Sequence, residues 1–456
     1  MKRKNLTQGP IFKTLLLYSI PIIVSNVVQL FFHIADVTVL SFMTNDAAVA
    51  AVGACGSIIT LLVSLFTGFS AGANVLVSKL AGKGDEDGVK KATGTALLIA
   101  LCSGLILMTA AVIFAKDILT LTNCQPDVLD MATTYMRIYF LGMPVTMLYN
   151  FSTAILTATG DSTRPMVYIN ISGVLNIILN VTFISVFNLT VEGVALATVL
   201  SNLIALILIL IRMMQKNCIC KIQPKYLRFG KNEFLEIVRI GVPTCLCGIF
   251  FYVANVILSS CVNAMSTDAM TANAISSQFD GIIYTVGYSI AVATAAVIGQ
   301  CFGAKKLDRI KATLKVSVLY VSAVCFSLGV IFVIISKPLL SLMTESESVI
   351  AIAMDRMTLL CLTYFFTSIM EVFAFSLRSL GHQNTTLFVG AICGFGVRTI
   401  WALVIWPMNK TLSMLFACYA ISAIIATIIY IFVYLKALKK LKVEFTPQEI
   451  SDSQPL

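Results

Sequence analysis

Charged residues are scarce in this chain of 456 residues, at 12% against about 25% in soluble domains. That scarcity excludes a water-soluble globular protein. With 58% hydrophobic residues and a mean hydropathy of +0.92, the chain reads as an integral membrane protein. Histidine is nearly absent: His33 and His382 are too few for most metalloenzyme centres, and no catalytic metal is expected. The 13 cysteines include no CxxC pair at Cys218-Ile-Cys220 or Cys245-Leu-Cys247, so they read as reduced packing residues. The first apolar segment is too long for a cleaved signal peptide, and no small-residue cleavage site follows it. No loop holds the clustered polar groups of a membrane enzyme, since His382 stands alone, and neither enzymatic activity nor a cofactor is expected. The net charge of +10 does not imply nucleic acid, because the basic residues lie between apolar spans.

Long apolar runs are what the chain does have. Twelve segments approach the roughly 20 residues a helix needs to cross a bilayer. They lie near 12–40, 47–78, 92–115, 128–153, 165–188, 192–214, 234–262, 270–298, 312–336, 349–377, 384–407 and 411–436. Of the 32 basic residues, 26 flank the termini and the ends of even-numbered spans, and 3 flank the other face. This asymmetry predicts cytoplasmic termini and a multi-pass protein of the inner (plasma) membrane.

The sequence also repeats at an offset near 221: Pro21 matches Pro243, Gly82 matches Gly303, and Gly160 matches Gly381. The predicted fold is therefore all-α, with twelve transmembrane helices in two like-oriented six-helix bundles. Residues 1–214 form the first bundle, 215–233 a cytoplasmic linker, 234–436 the second bundle and 437–456 a cytoplasmic tail. Two such halves related by an axis along the membrane normal suit alternating access.

Few polar residues lie deep in the spans. Asp36 is in the first, where an ionised Asp costs about 2.5–3.5 kcal/mol and needs a partner, water or a proton. Asn176 and Asn180 share one face of span five, and Thr198 is on span six. Together with Asp36 they make an all-oxygen set suited to Na⁺ or a proton, or else they are interhelical glue. His33, one turn before Asp36, is a candidate to share its proton. Glu371 and Arg398 are expected to form a structural ion pair. Asp280 shows no obvious partner and is expected in a substrate cavity with Gln278, Tyr284 and Gln29, the aromatic ring adding a face for a cation. Pro21 removes a backbone hydrogen bond from span one and is expected to act as a hinge.

In this setting the chain resembles the MATE (multidrug and toxic compound extrusion) family, nearer its bacterial DinF-like branch. The resemblance is carried by Gln29 and Asp36; by Ala50-Ala-Val-Gly-Ala54, Gly68-Phe-Ser-Ala-Gly72 and Ala81-Gly-Lys83; and by Ala158-Thr-Gly-Asp-Ser162. In the second half it continues through Gly241-Val-Pro243, Ala272-Asn-Ala274, Ile298-Gly-Gln300, Glu371, Leu377-Arg-Ser-Leu-Gly381 and Arg398 to Trp401.

The resemblance implies a secondary active antiporter that exports amphipathic, often cationic compounds in exchange for H⁺ or Na⁺. It also implies that Asp36, Asn176, Asn180 and Thr198 belong to the cation-coupling site. Asn180 stands where many members carry a second acid, which favours H⁺ over Na⁺. The expected partners are small organic cations or drugs and membrane lipid, with the chain acting as a monomer. The rival reading within the same fold is a flippase for a lipid or lipid-linked oligosaccharide, which would prefer a basic cavity.

Overall fold

The computed structural model describes residues 6–44, 46–122 and 124–445, without the side chains of a few of these, His33 among them. Of the expected cytoplasmic tail, residues 446–456 lie outside the described residues. The structure is helical throughout. α1 (Ile11–Met43), α2 (Asp46–Lys83) and α3 (Glu86–Leu121) are followed by α4 (Pro126–Leu141) and α5 (Met143–Ala158), then α6 (Thr163–Ser185) and α7 (Val191–Met214). A short linker leads to α8 (Lys231–Asn263), α9 (Thr267–Gly303), α10 (Leu307–Ile334), α11 (Ser336–Ser341) and α12 (Glu347–Ser379). α13 (Gln383–Val389) and α14 (Arg398–Ile400) share one span, and α15 (Leu412–Phe445) closes the chain.

Among the described residues, eleven helical spans and one bent pair are long and apolar enough to cross a membrane, in register with the twelve expected spans. The bent pair is α4 and α5, which meet at 48° around Gly142. Pro144 sits in the first turn of α5, where its missing N–H removes no helical hydrogen bond. The eleventh span departs furthest from a plain helix. Between α13 and α14 it is π-helical over Gly390–Val397, and after α14 again over Trp401–Ile405. Such wide turns are rare and recur at functional sites.

The apolar residues condense into two cores. One gathers Leu40, Val77, Phe140, Phe151 and Ile209 from the first half, the other Ile290, Leu314, Leu360 and Leu415 from the second. Two helices pass between them. The beginning of α1 (Leu15, Tyr18, Ile22) is packed in the second core, while Leu40 near its end is in the first. α8 does the reverse, with Ile237 in the first core and Leu258 and Val262 in the second. Each crossing helix carries an internal proline near the changeover, Pro21 in α1 and Pro243 in α8.

The segments entering these helices are also exchanged. Arg309 on α10 donates to the carbonyls of Leu6, Gln8 and Gly9, and Lys306 to that of Thr7. In the linker, Tyr226 donates to Asp87 and Gly230 to Thr95, both on α3. Phe445 at the end of α15 packs on Phe302, so the first and last described segments lie on this face. It is rich in Lys and Arg and is termed the basic face below.

On the basic face the two bundles touch through glycine. A β-carbon on Gly82 would lie 2.0 Å from the carbonyl oxygen of Gln300, and one on Gly303 would lie 2.0 Å from that of Lys79. The lack of a side chain at both positions lets α2 and α9 close backbone to backbone. Gly160 and Gly381, which end α5 and α12, have φ of 94° and 92°, a conformation that glycine adopts without strain.

Candidate functional site

Polar groups collect at two places, one in each bundle. In the first, Asn180 on α6 donates from Nδ2 to Asp36 Oδ1 at 2.7 Å and lies 3.4 Å from Asn176 Oδ1. The four-residue spacing of the two asparagines puts both on the buried face of α6, and α1 brings Asp36 against them. Asn180 is 0% exposed, and its own Oδ1 has no hydrogen-bond partner among the described residues. A buried acceptor left open beside a carboxylate can take a cation or an O–H donor, and leaving it empty costs about 1–3 kcal/mol.

Thr198 is not joined to this group by a hydrogen bond; its hydroxyl donates to Val194 one turn back, at 3.0 Å. The His33 side chain lies outside the described residues. Tyr135 and Tyr139 on α4, which the sequence reading missed, are near enough to interact electrostatically with Asp36. Their spacing in the sequence is that of ordinary aromatic packing, and only the tertiary structure brings them near Asp36.

The second bundle requires two corrections. Asp280 is not an unpartnered carboxylate in a cavity. It is 3% exposed and forms a two-pronged pair with Arg356 on α12, both N···O distances being 3.3 Å. Arg356 also donates to Ser276 at 2.9 Å and lies over the Phe416 ring. A guanidinium within an apolar span demands such a partner, which was the signal available for finding it.

Nor do Glu371 and Arg398 form an ion pair: among the described residues, no basic group lies within 4.0 Å of Glu371. Arg398 is held elsewhere. Its Nε donates to Ser422 at 3.2 Å, and its guanidinium carbon lies 4.0 Å from the Tyr419 ring centre and 5.2 Å from that of Phe251.

What Glu371 and Arg398 share is the wall of a cavity of about 330 Å³, within the size range of small-molecule sites. Arg378 joins them from the last turn of α12, and Tyr284 lines the wall, stacked on Phe251. The expected lining residues Gln278 and Gln29 are both exposed and absent from this wall, and Gln29 donates back to Ser25 on its own helix. The deep charges therefore do not favour a cation as the sequence suggested. Asp280 is neutralised, and the cavity sets two guanidiniums against one carboxylate.

The MatE family profile matches the chain twice, over residues 21–182 and 243–404, so each half carries one copy of the family's module. The chain belongs to the MatE family. Among curated relatives, this MatE chain is 25% identical to the "Probable multidrug resistance protein YoeA" of Bacillus subtilis (strain 168), over 93% of its own length and 95% of that protein. It is 24% identical to the "Multidrug export protein MepA" of Staphylococcus aureus (strain bovine RF122 / ET3-1), over 76% of each.

Its fold superposes with a TM-score of 0.90 on a solved structure described as the outward-facing conformation of a multidrug resistance MATE family transporter. That match is at 18% identity and covers 97% of this chain and 100% of the other. The MatE chain is accordingly a multi-pass membrane transporter rather than an enzyme.

Proposed function

We infer that the chain exports amphipathic organic compounds by alternating access, in exchange for protons taken up at Asp36. The observation that carries this reading is the Asp36–Asn180–Asn176 group. It is a deep carboxylate with one amide donor and one unfilled buried acceptor, set in the opposite bundle from the cavity that can hold an organic molecule. The group offers one carboxylate, and a proton neutralises it outright, whereas Na⁺ binding favours several charged or carbonyl oxygens. The names of the relatives support multidrug export. The basic face is then cytoplasmic, and its glycine contact between α2 and α9 is the closure that opens when the protein faces inward.

Energy supply is adequate, since each pH unit gives about 1.4 kcal/mol per proton and each 100 mV about 2.3 kcal/mol per charge. Protonation of Asp36 on α1 reaches the other bundle through that same helix, whose first turns are packed in the second core below Pro21. A second reading, flipping of an anionic lipid, draws support from the excess of Arg over Glu in the cavity.

Uptake into inverted membrane vesicles decides between them, with ΔpH alone or ΔNa⁺ alone imposed and wild type compared with Asp36→Asn. Uptake driven by ΔpH and lost in Asp36→Asn is the expected result. Absence of any gradient-driven movement, in folded and inserted protein, would favour the flippase.

A further inference from the structure

The cavity in the second bundle has a polarity that multidrug export by itself does not require. Besides cysteines and tyrosines, its ionisable side chains are Arg378, Arg398 and Glu371, two basic against one acidic. Neither arginine has a carboxylate within 4.0 Å among the described residues. Arg378 donates from Nε to Thr386 at 3.3 Å, with its guanidinium carbon 4.8 Å from the Phe375 ring centre.

Arg398 is 1% exposed, held by Ser422 and by the Tyr419 and Phe251 rings beside it, yet its buried Nη1 has no hydrogen-bond partner among the described residues. A rigid guanidinium with an unfilled N–H edge is the side chain best matched to an oxyanion. It also lies where the eleventh span is widened: the π-helical stretch Gly390–Val397 supplies Gly390, Cys393 and Gly394 to the wall and ends at Arg398. A β-carbon on Gly394 would meet nothing within 4 Å, so the wall leaves room there.

We propose that this cavity binds the acid group of an amphipathic aromatic compound, a carboxylate or sulfonate, with Arg398 as its anchor and Arg378 as the supporting charge. A bound acid brings the enclosed charges to two positive and two negative, and fills the open edge of Arg398. The Phe251, Tyr284, Tyr288 and Phe375 rings line the same space and provide faces for an aromatic body. An organic cation would have to sit beside two guanidiniums with one carboxylate to hold it. The inference deepens the export reading by naming the class of cargo, and its test needs no gradient.

The test is equilibrium binding of radiolabelled naphthalene-2-sulfonate to the purified chain in phosphatidylcholine nanodiscs, which contain no anionic lipid. Tetraphenylphosphonium serves as the cationic counterpart. Saturable binding of the sulfonate is expected, weakened about tenfold or more in Arg398→Gln, the loss of charge-assisted hydrogen bonds. Glu371→Gln removes the carboxyl group from the cavity wall and should tighten binding, a gain that misfolding cannot imitate. Binding is measured at equilibrium with no gradient imposed, so failure of proton coupling and failure of this site remain distinguishable. Saturable binding of tetraphenylphosphonium alone, or sulfonate affinity unchanged in both Arg398→Gln and Glu371→Gln, would overturn the proposal.

Discussion

Gln300 of the second half donates its side-chain amide to the carbonyl of Ala158 in the first half at 2.7 Å, while its own carbonyl rests against Gly82. One residue thus closes the basic face twice, through a side chain to α5 and through its backbone to α2. Gly303, one turn on, makes the matching approach to Lys79. Opening toward the basic face must break these contacts together.

Replacing Gly82 by Val wedges this contact. Overpacking of this kind costs about 1–3 kcal/mol, enough to shift a two-state equilibrium about 5- to 150-fold. Ser78 provides the readout: it is 0% exposed, and a β-carbon on Gly299 would lie 2.1 Å from its Oγ. Ser78→Cys is expected to resist a membrane-impermeant maleimide applied to the basic face, and to react rapidly once Gly82→Val is added. Equal reactivity with and without the wedge would mean that α2 and α9 are not the moving contact.

Arg356→Ala leaves Asp280 buried without its partner, and removal of one member of a buried pair costs about 3–5 kcal/mol. A large fall in melting temperature and in the yield of folded protein is expected. The double change Arg356→Leu with Asp280→Leu should recover most of it. If Asp280→Asn instead kept full stability and abolished only transport, Asp280 would be a cargo-binding group after all.

Asn180→Asp places a second carboxylate beside Asp36, across the present 2.7 Å contact. Two acids with the oxygen of Asn176 form a better Na⁺ site than one. Uptake driven by ΔNa⁺ is expected to appear in this variant and to be absent from wild type. Equal Na⁺ stimulation of both would argue that the ion is coordinated elsewhere.

Cys218 and Cys220, in the linker beyond α7, have their sulfurs 3.3 Å apart and both are buried. The hydrogen bond from Cys220, helped by the nearby Arg212, holds the Cys218 thiol below its ordinary range. The thiolate is the reactive form, so alkylation of Cys218 should persist to lower pH than for a free cysteine. Cys220→Ala removes the hydrogen bond and should move the midpoint of the alkylation profile upward. Mass-spectrometric labelling across pH 6–10 measures this, and a midpoint that did not move would leave Arg212 as the dominant influence.

Much of this architecture was legible in the residues alone. Bilayer thickness sets the length of an apolar run, and a helix satisfies its own backbone, so twelve spans follow from hydropathy without knowledge of any contact. The repeat was visible as Pro21 with Pro243 and Gly82 with Gly303, and the MATE resemblance followed from the same stretches. The approach of Asp36 to Asn176 and Asn180 was expressed in their helical spacing and in the cost of an unpaired intramembrane acid.

Pairing between spans could not be read the same way. Whether Asp280 meets Arg356, or Glu371 meets Arg398, depends on the rotation and depth of helices far apart in sequence, and hydropathy says nothing of either. Arg378 looked like a loop residue because α12 runs to Ser379, two residues beyond the expected end of that span. The π-helical widening before Arg398 likewise has no signature in composition. The sequence by itself determined a duplicated twelve-span membrane transporter with an acid deep in its first helix. Only the tertiary structure decided which charges cancel and which remain to meet a ligand, because charges within apolar spans act over a few ångströms, and those separations are set by helix packing.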